Sequence, residues 1–378
     1  MNSNRYLSWV MGWLCLLGTS DLLAQDPVLS QYFTNRMLVN PALTGFERGS
    51  TVSMNHRNQW FRVGGRETRF TTNSLTADIG APCLQSAFGV YYLDNVEGAG
   101  LLRWQHTGLS YAWHSRPGPM NSTQDIRFSG GFKASYNWRR LNYDNLIFSD
   151  QLDAIYGRIG ATAAPIPSEM EARTGYADFG AGAAVHWRHR TKNRLTVGGA
   201  MHHLVRIDNS VAFLDDTLPT RTTLHATYVH AQSYGNFEYF IVPMAKVELQ
   251  RSAAAPNAAA NPYWYRMVTY GVAFSFQNSP GLWGGMWMHT RNGIVDTTNT
   301  NTLTVALGIE VGDGPGSRLR RAGRRMRVGL SYDYNFSGLR SDSGGVMELS
   351  LTFNFADVKL TDCDLRGRLG DPPCPKFN

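Results

Sequence analysis

Apolar and polar residues alternate one for one along much of this chain. From Met347 to Phe355, Met347, Leu349, Leu351, Phe353 and Phe355 are apolar, and Glu348, Ser350, Thr352 and Asn354 between them are polar. Successive side chains of an extended strand point to opposite sides, so this spacing predicts a strand with one wholly apolar face. The same reading holds for Met326, Val328, Leu330, Tyr332, Tyr334 and Phe336, and for Ile126, Phe128, Phe132, Ala134, Tyr136 and Trp138. It holds again for Leu303 to Val311 and for Val268 to Phe276. Runs of about 9 to 13 residues suit a tilted strand crossing a bilayer.

About fourteen such segments are predicted, beginning near residues 50, 69, 86, 101, 125, 176, 193, 221, 236, 264, 281, 301, 325 and 345. An even number of antiparallel strands predicts an all-β, up-and-down transmembrane barrel of the outer-membrane type over residues 50–356. With a periplasmic N-terminus, the long connections near 139–175, 204–220 and 250–262 fall outside, and the short turns near 190, 234 and 279 fall inside. Trp60, Trp113, Trp138, Trp187, Tyr334 and Phe355 sit near strand ends, as girdles at two lipid–water interfaces require. Small inward residues at Gly180, Gly182 and Ala184 suit a lumen crowded by side chains or by a plug. Some positions fit less well. Pro243 implies a bulge, His56 and Asn58 weaken the apolar face of the first strand, and the strand near Leu101 to Trp113 changes phase. A soluble β-sandwich also alternates, but its strands are shorter and carry fewer outward aromatics.

Composition agrees with a barrel. Of 378 residues, 43% are hydrophobic, 12% aromatic and only 17% charged. Mean hydropathy is −0.29, and only the N-terminus approaches the run of roughly 20 apolar residues that a membrane helix needs. Residues 1–24 read as a signal peptide, with Arg5 in the basic region, Leu7 to Gly18 as the apolar stretch and Ala24 before the cleavage point. That leaves residues 25–49 as a segment preceding the barrel, either a plug or a periplasmic mouth element, and 357–378 as a periplasmic tail. Export places Cys83, Cys363 and Cys374 in an oxidising compartment, where at most one internal bridge forms. Cys363–Cys374 would close a short tail loop; Cys83–Cys374 would pin the tail to an early turn.

The net charge of +7 is scattered except for Arg318, Arg320, Arg321, Arg324, Arg325 and Arg327. In an exported protein this cluster suits lipid phosphate or a solvated loop rather than nucleic acid. Catalytic chemistry has weak support. None of the ten histidines sits in a nucleophile elbow or an H-E-x-x-H spacing, and His186, His189, His202 and His203 read as lumenal or interfacial. Asp215-Asp216 lacks calcium-loop spacing, and Gly312 to Gly316 lacks the Gly-Lys-Ser/Thr of a phosphate loop. No enzyme activity, cofactor or metal is expected.

Distinctive motifs remain at both ends. Gln25-Asp26-Pro27, Ser30-Gln31-Tyr32 and Asn40-Pro41-Ala42 with Gly45 stand in order, followed by Arg57-Asn58-Gln59-Trp60. Gly89-Val90 through Gly98 comes next, then Ser331-Tyr332-Asp333, Ser337-Gly338-Leu339, Glu348-Leu349-Ser350-Leu351 and Cys374-Pro375-Lys376-Phe377. In order and spacing these resemble the PorP/SprF family of type IX secretion and gliding-motility membrane proteins, over almost the full chain. Asp94-Asn95 is inverted relative to the family pattern. The resemblance implies an outer-membrane barrel that supports secretion or surface retention of cargo proteins such as large adhesins. It also implies contact with periplasmic and outer-membrane parts of the machine, and no catalytic residues. On it, Asn40, Pro41, Gly45, Arg57, Gln59, Trp60, Tyr332 and Asp333 are candidate structural or partner-contact positions. The competing expectation is a solute porin, supported by the polar inward residues Arg127, Lys133, Asp333 and Glu348.

Overall fold

In a computed structural model of the chain, residues 26–47, 49–61, 69–115, 124–153, 155–163, 173–189, 193–205, 207–208, 217–234, 237–251, 264–277, 280–292, 300–312, 324–336 and 344–360 are described. Residues 1–24, expected to be a signal peptide, residues 318–321 of the arginine cluster, the Ala-rich stretch 253–260, Cys363 and Cys374 lie outside them.

The alternating segments fold into fourteen long strands: β1 (Ser50–Gln59), β2 (Arg69–Ala81), β3 (Ser86–Gly98), β4 (Leu102–His114), β5 (Gln124–Arg140), β6 (Arg173–His189), β7 (Asn193–His202), β8 (Arg221–Tyr234), β9 (Phe237–Arg251), β10 (Trp264–Gln277), β11 (Gly281–Asn292), β12 (Thr300–Val311), β13 (Arg324–Asn335) and β14 (Val346–Phe355). Each pairs antiparallel with its neighbours in sequence, and β1 pairs with β14 from Ser50↔Phe355 to Gln59↔Val346, which closes the barrel. Closure leaves no edge strand with unpaired backbone groups, the condition for a sheet to sit in lipid. No helix among the described residues is long and apolar enough to cross a membrane; the strands do so.

Burial is inverted relative to a soluble protein. Leu307 is 69% exposed and Leu109 65%, whereas Thr223, Thr304 and Glu348 are fully buried. The apolar faces therefore point out and the polar faces line the lumen. Arg324 at the start of β13 points outward and pairs with Asp357 at 3.4 Å, while Arg325 and Arg327 of the same cluster behave differently and line the inner end of the lumen.

Two irregularities read from the sequence resolve differently in space. Pro243 produces no bulge. The β8–β9 register is the same on either side of it, Thr227↔Met244 and His230↔Ile241, and only the pairing between these positions is interrupted. Nor does β4 change phase. Trp104, Gly108, Ser110 and Ala112 all point inward, and Arg103, Thr107, Leu109, Tyr111 and Trp113 point out. What changes is the chemistry required along the wall. Toward its outer end the outward face of β4 carries Arg103 paired to Asp94 at 2.6 Å and Gln105 donating to the Tyr92 hydroxyl at 2.7 Å.

Because Leu307 lies near the middle of β12 on the outward face, Leu307→Arg is expected to cost about 2–4 kcal/mol, the depth-dependent price of a cation against acyl chains. Guanidinium unfolding from liposomes measures this. An unchanged midpoint would contradict lipid contact on this face.

Candidate functional site

The lumen is occupied by the chain's own N-terminal segment. Residues 26–47 descend from the outer third of the barrel to its inner end, in three tight turns rather than a strand. Tyr32–Thr34 and Pro41–Leu43 are single 3-10 turns, and Arg36–Val39 is one turn of α-helix. The segment folds this way because its side chains satisfy its own backbone. The Asn40 carboxamide oxygen accepts from the Ala42 N–H at 2.9 Å, and Pro41 occupies the first turn position, where no N–H is needed. The Thr34 and Thr44 hydroxyls return to the carbonyls of Gln31 and Pro41 at 2.8 Å each. Gly45, at φ +65°, turns the chain beneath Ala87, where a side chain would collide.

Wall contacts hold the segment at three depths. In the outer third the fully buried Glu348 carboxylate accepts from the N–H groups of Ser30 (2.6 Å) and Gln31 (3.1 Å) and from the Asn55 side chain (2.7 Å). Asp333 accepts from the hydroxyls of Ser30 (2.5 Å) and Thr304 (2.7 Å), and Arg57 Nη2 lies 3.9 Å from Asp333. Midway, Asn40 Nδ2 donates to the carbonyls of Ala183 (3.1 Å) and Gly199 (3.2 Å) and lies 3.0 Å from His225 Nε2. Lower down, Thr44 bonds Ser110 at 2.6 Å, and the Gly45 N–H donates to Asp78 at 2.7 Å. Glycines in the wall make the close approach feasible. A Cβ on Gly131 would strike the Pro41–Ala42 backbone, and one on Gly182 would strike Asn40 Oδ1.

At the outer end the segment is anchored by charge. Asp26 Oδ2 lies 2.7 Å from His203 Nε2 and 3.1 Å from Arg221 Nη1, and His203 Nδ1 lies 3.1 Å from Asp178. Burial opposes a charged Asp26, but Arg221 and His203 outweigh it and hold its carboxyl well below the ordinary value. Burial likewise works against a charged His203, yet Asp26 and Asp178 raise its imidazole above the ordinary value. His203 adopts φ +56° immediately after β7, a conformation that costs free energy in a non-glycine residue and that this ion triad offsets.

The eight candidate positions separate into two groups. Asn40, Pro41, Gly45, Arg57 and Asp333 meet where segment and wall touch, with Gln59 joined to them through a hydrogen bond from Arg57. Trp60 and Tyr332 stand apart at the outer rim. Trp60, at φ +54°, packs its ring 5.0 Å from Phe70, and its backbone N–H donates to the Gly345 carbonyl. The Tyr332 hydroxyl donates to the Gly344 carbonyl, and the residue is 40% exposed. Cys83, in the 3-10 turn Pro82–Leu84, is disulfide-bonded. Of the histidines, His186 is inward, within 2.9 Å of the Ser129 hydroxyl and packed on Phe46, and His202 Nε2 lies 3.2 Å from the Val39 carbonyl. Both support the segment. No group of His, Cys, Asp and Glu suited to a metal occurs among the described residues.

The sequence pattern of the family described as "Type IX secretion system membrane protein PorP/SprF" matches residues 22–353. The chain belongs to the PorP/SprF family. This PorP/SprF protein is therefore an outer-membrane β-barrel of the type IX secretion system, and the matched range takes in both the lumenal segment and nearly all of the wall. No curated protein matches the chain. Among solved structures it is similar to the CymD monoaromatic hydrocarbon channel (12% identity, 87% of this chain and 94% of that one, TM-score 0.45). It is also similar to the toluene transporter TbuX of Ralstonia pickettii (10%, 85% and 92%, TM-score 0.44). A third is a FadL homologue of Pseudomonas aeruginosa (12%, 85% and 94%, TM-score 0.43).

Proposed function

We propose that this PorP/SprF barrel works through its two mouths rather than through its lumen. It holds a secreted or surface-anchored cargo protein, such as a large adhesin of a gliding machine, at its outer loops, and other parts of the secretion machine at its periplasmic end. The observation that carries this reading is the filled lumen: the bonds to Glu348, Asn40 and Thr44 run from outer third to inner end. The outer connection between β5 and β6 supports it. Its hairpin Leu152–Asp153/Gly157–Arg158 displays Ile155, 83% exposed, and Tyr156, 79% exposed. Asp153 Oδ1 accepts from both of their N–H groups, at 2.7 and 2.9 Å, so the apolar tip is preorganised. A rigid aromatic–aliphatic tip above the membrane is an anchor of the sort that fills a pocket on a partner. In the same reading Asn40, Pro41, Gly45, Arg57 and Asp333 hold the lumenal segment, and Trp60 and Tyr332 seat the outer rim at the lipid surface.

The test is a deletion strain complemented by the native gene or by an Ile155→Ser/Tyr156→Ser variant. Deletion is expected to abolish secretion or surface display of at least one type IX cargo. The double variant, inserted normally, is expected to weaken cargo retention, each anchor being worth about 2 kcal/mol or roughly 30-fold in affinity. A deletion strain that still displays every surface protein overturns the reading.

A further inference from the structure

One stretch of wall breaks the inward-polar rule. On β9 the residues Phe240, Ile241, Val242, Pro243 and Met244 are apolar on both faces. Phe240, Val242 and Met244 thus point into the lumen, where most wall positions carry Ser, Thr, Asn or charge and where Trp283 and Trp287 of β11 are likewise apolar. Opposite them the lumenal segment presents Phe33, Val39 and Leu43. Between the two surfaces lies a cavity of about 290 Å³. Its far wall is Trp283, which packs edge-on against Phe33 at 5.9 Å. Thr196, His225, Thr227 and Ser275 also line it, but a space lined mostly by apolar side chains favours an apolar guest.

The mouth of the cavity has the opposite character. It lies at the end of the barrel where β7, β9, β11 and β13 begin, the end that the loop lengths predict to be periplasmic. Four arginines (Arg36, Arg194, Arg325 and Arg327) and two carboxylates (Glu47 and Glu310) line it. Glu47 bridges Arg36 at 2.6 Å and Arg325 at 3.1 Å, and Glu310 bridges Arg327 at 2.5 Å and Arg325 at 3.8 Å. Arg36, with help from Arg325 and against burial, holds the Glu47 carboxyl far below the ordinary value, so both members of that bridge are charged. The carboxylates thus offset two of the four cations. Arg194, on the other side at the inner end of β7, makes no ion pair or side-chain hydrogen bond among the described residues, and its side chain is exposed at the mouth.

We infer that this cavity is a binding site for a single-chain amphipathic anion of the medium-chain fatty acid class, its apolar tail between β9 and the lumenal segment and its carboxylate on Arg194. The volume sits at the small end of the roughly 300–1,000 Å³ range of ligand sites, which suits one short acyl chain and excludes a two-chain phospholipid. The guanidinium supplies a charge-assisted, bidentate partner for the head group. This inference stands independently of the docking role, because it uses the periplasmic half of the lumen and none of the outer loops.

The experiment is equilibrium binding of radiolabelled decanoate to the full chain in a non-ionic detergent, with decanol and a dialkyl phosphatidylglycerol as comparison probes. Native folding of every variant is checked by heat-modifiable gel mobility. Saturable binding of one decanoate per barrel is expected. It should be lost in Val242→Trp, which fills the cavity, and weakened about tenfold in Arg194→Glu, as the loss of one charge-assisted contact implies. Decanol should bind more weakly by a similar factor. If Val242→Trp does not fold, Ala273→Leu on the adjacent wall of the cavity takes its place. Absence of saturation, equal binding by the cavity-filled variant, equal affinity for decanol, or saturable binding of the phospholipid alone each overturns the assignment. A strain whose cargo display fails while decanoate binding persists would separate this site from the docking role.

Discussion

A barrel from which residues 26–44 are excised is expected to conduct ions in planar bilayers, at least about tenfold more than the intact chain. Barrels of eight strands are filled by their own wall side chains, and those of sixteen to eighteen leave a water channel. Fourteen strands fall between, so the space here is closed by what enters it. Excision leaves Glu348, Asp333 and Asn55 facing water, where a charged lining assists permeation rather than destabilising the fold. A smaller change reports on the same contact. Gly131→Val places side-chain atoms where the Pro41–Ala42 backbone lies, and backbone cannot give way as a flexible side chain can. That variant should lift the Pro41–Leu43 turn off the wall and raise conductance part of the way, with insertion unchanged. An excised barrel that inserts natively and stays silent would show that residues 26–44 are not what closes the lumen. An intact chain that already conducts like a porin would remove the main support for a docking role.

The wall was legible in the sequence because alternation is a local property. Strand starts expected near 101, 125, 236, 301, 325 and 345 are found at Leu102, Gln124, Phe237, Thr300, Arg324 and Val346. Each strand must be apolar on one face whatever its neighbours are, so nine residues carry the signal unaided. Where the wall leaves the hydrocarbon the signal fades. His56 bonds Asn73 on the outward face at 2.7 Å, and Arg103 pairs with Asp94 in the same upper region, so polarity there reports height rather than a change of face. The contents of the lumen were less legible. Asn40, Arg57 and Asp333 stood out through family resemblance, and the local turn chemistry of Asn-Pro was readable. Their partners were not. Ser30 and Gln31 meet Glu348 across more than 300 positions of sequence, and such a pairing leaves no periodic trace. The cavity beside β9 did have a trace, the unbroken apolar run Phe240 to Met244, but a doubly apolar strand has no assigned partner until both of its surfaces are placed.

The outer anchor predicts the largest effect of any single substitution. Asp26→Asn is expected to cost about 3–5 kcal/mol in docking of the segment's outer end, because it leaves Arg221 and His203 buried without their shared carboxylate. Hydrogen exchange at residues 28–31 measures the loss, and unchanged protection there would show that the ion triad carries no docking free energy. The same triad sets a pH window, and its sign follows from two opposed shifts. The imidazole of His203 is raised on docking, so its contribution is complete below the undocked value of roughly 6.5 and is lost as pH climbs through the raised one. The Asp26 carboxyl is depressed, so its contribution is complete above roughly 4 and disappears only as pH falls through a much lower value. His106 on β4, Lys133 on β5, Arg221 on β8 and Lys246 and Glu248 on β9 line the same space; burial favours the neutral imidazole, and Asp26 with Asp178 on β6 favours the charged form. Protection of residues 28–31 should therefore be greatest between about pH 4 and 6.5, decline through the alkaline range, and lose that alkaline decline in His203→Gln. Protection that instead rises steadily above neutrality would mean that His203 docks uncharged, and the triad would then hold the segment by hydrogen bonds alone.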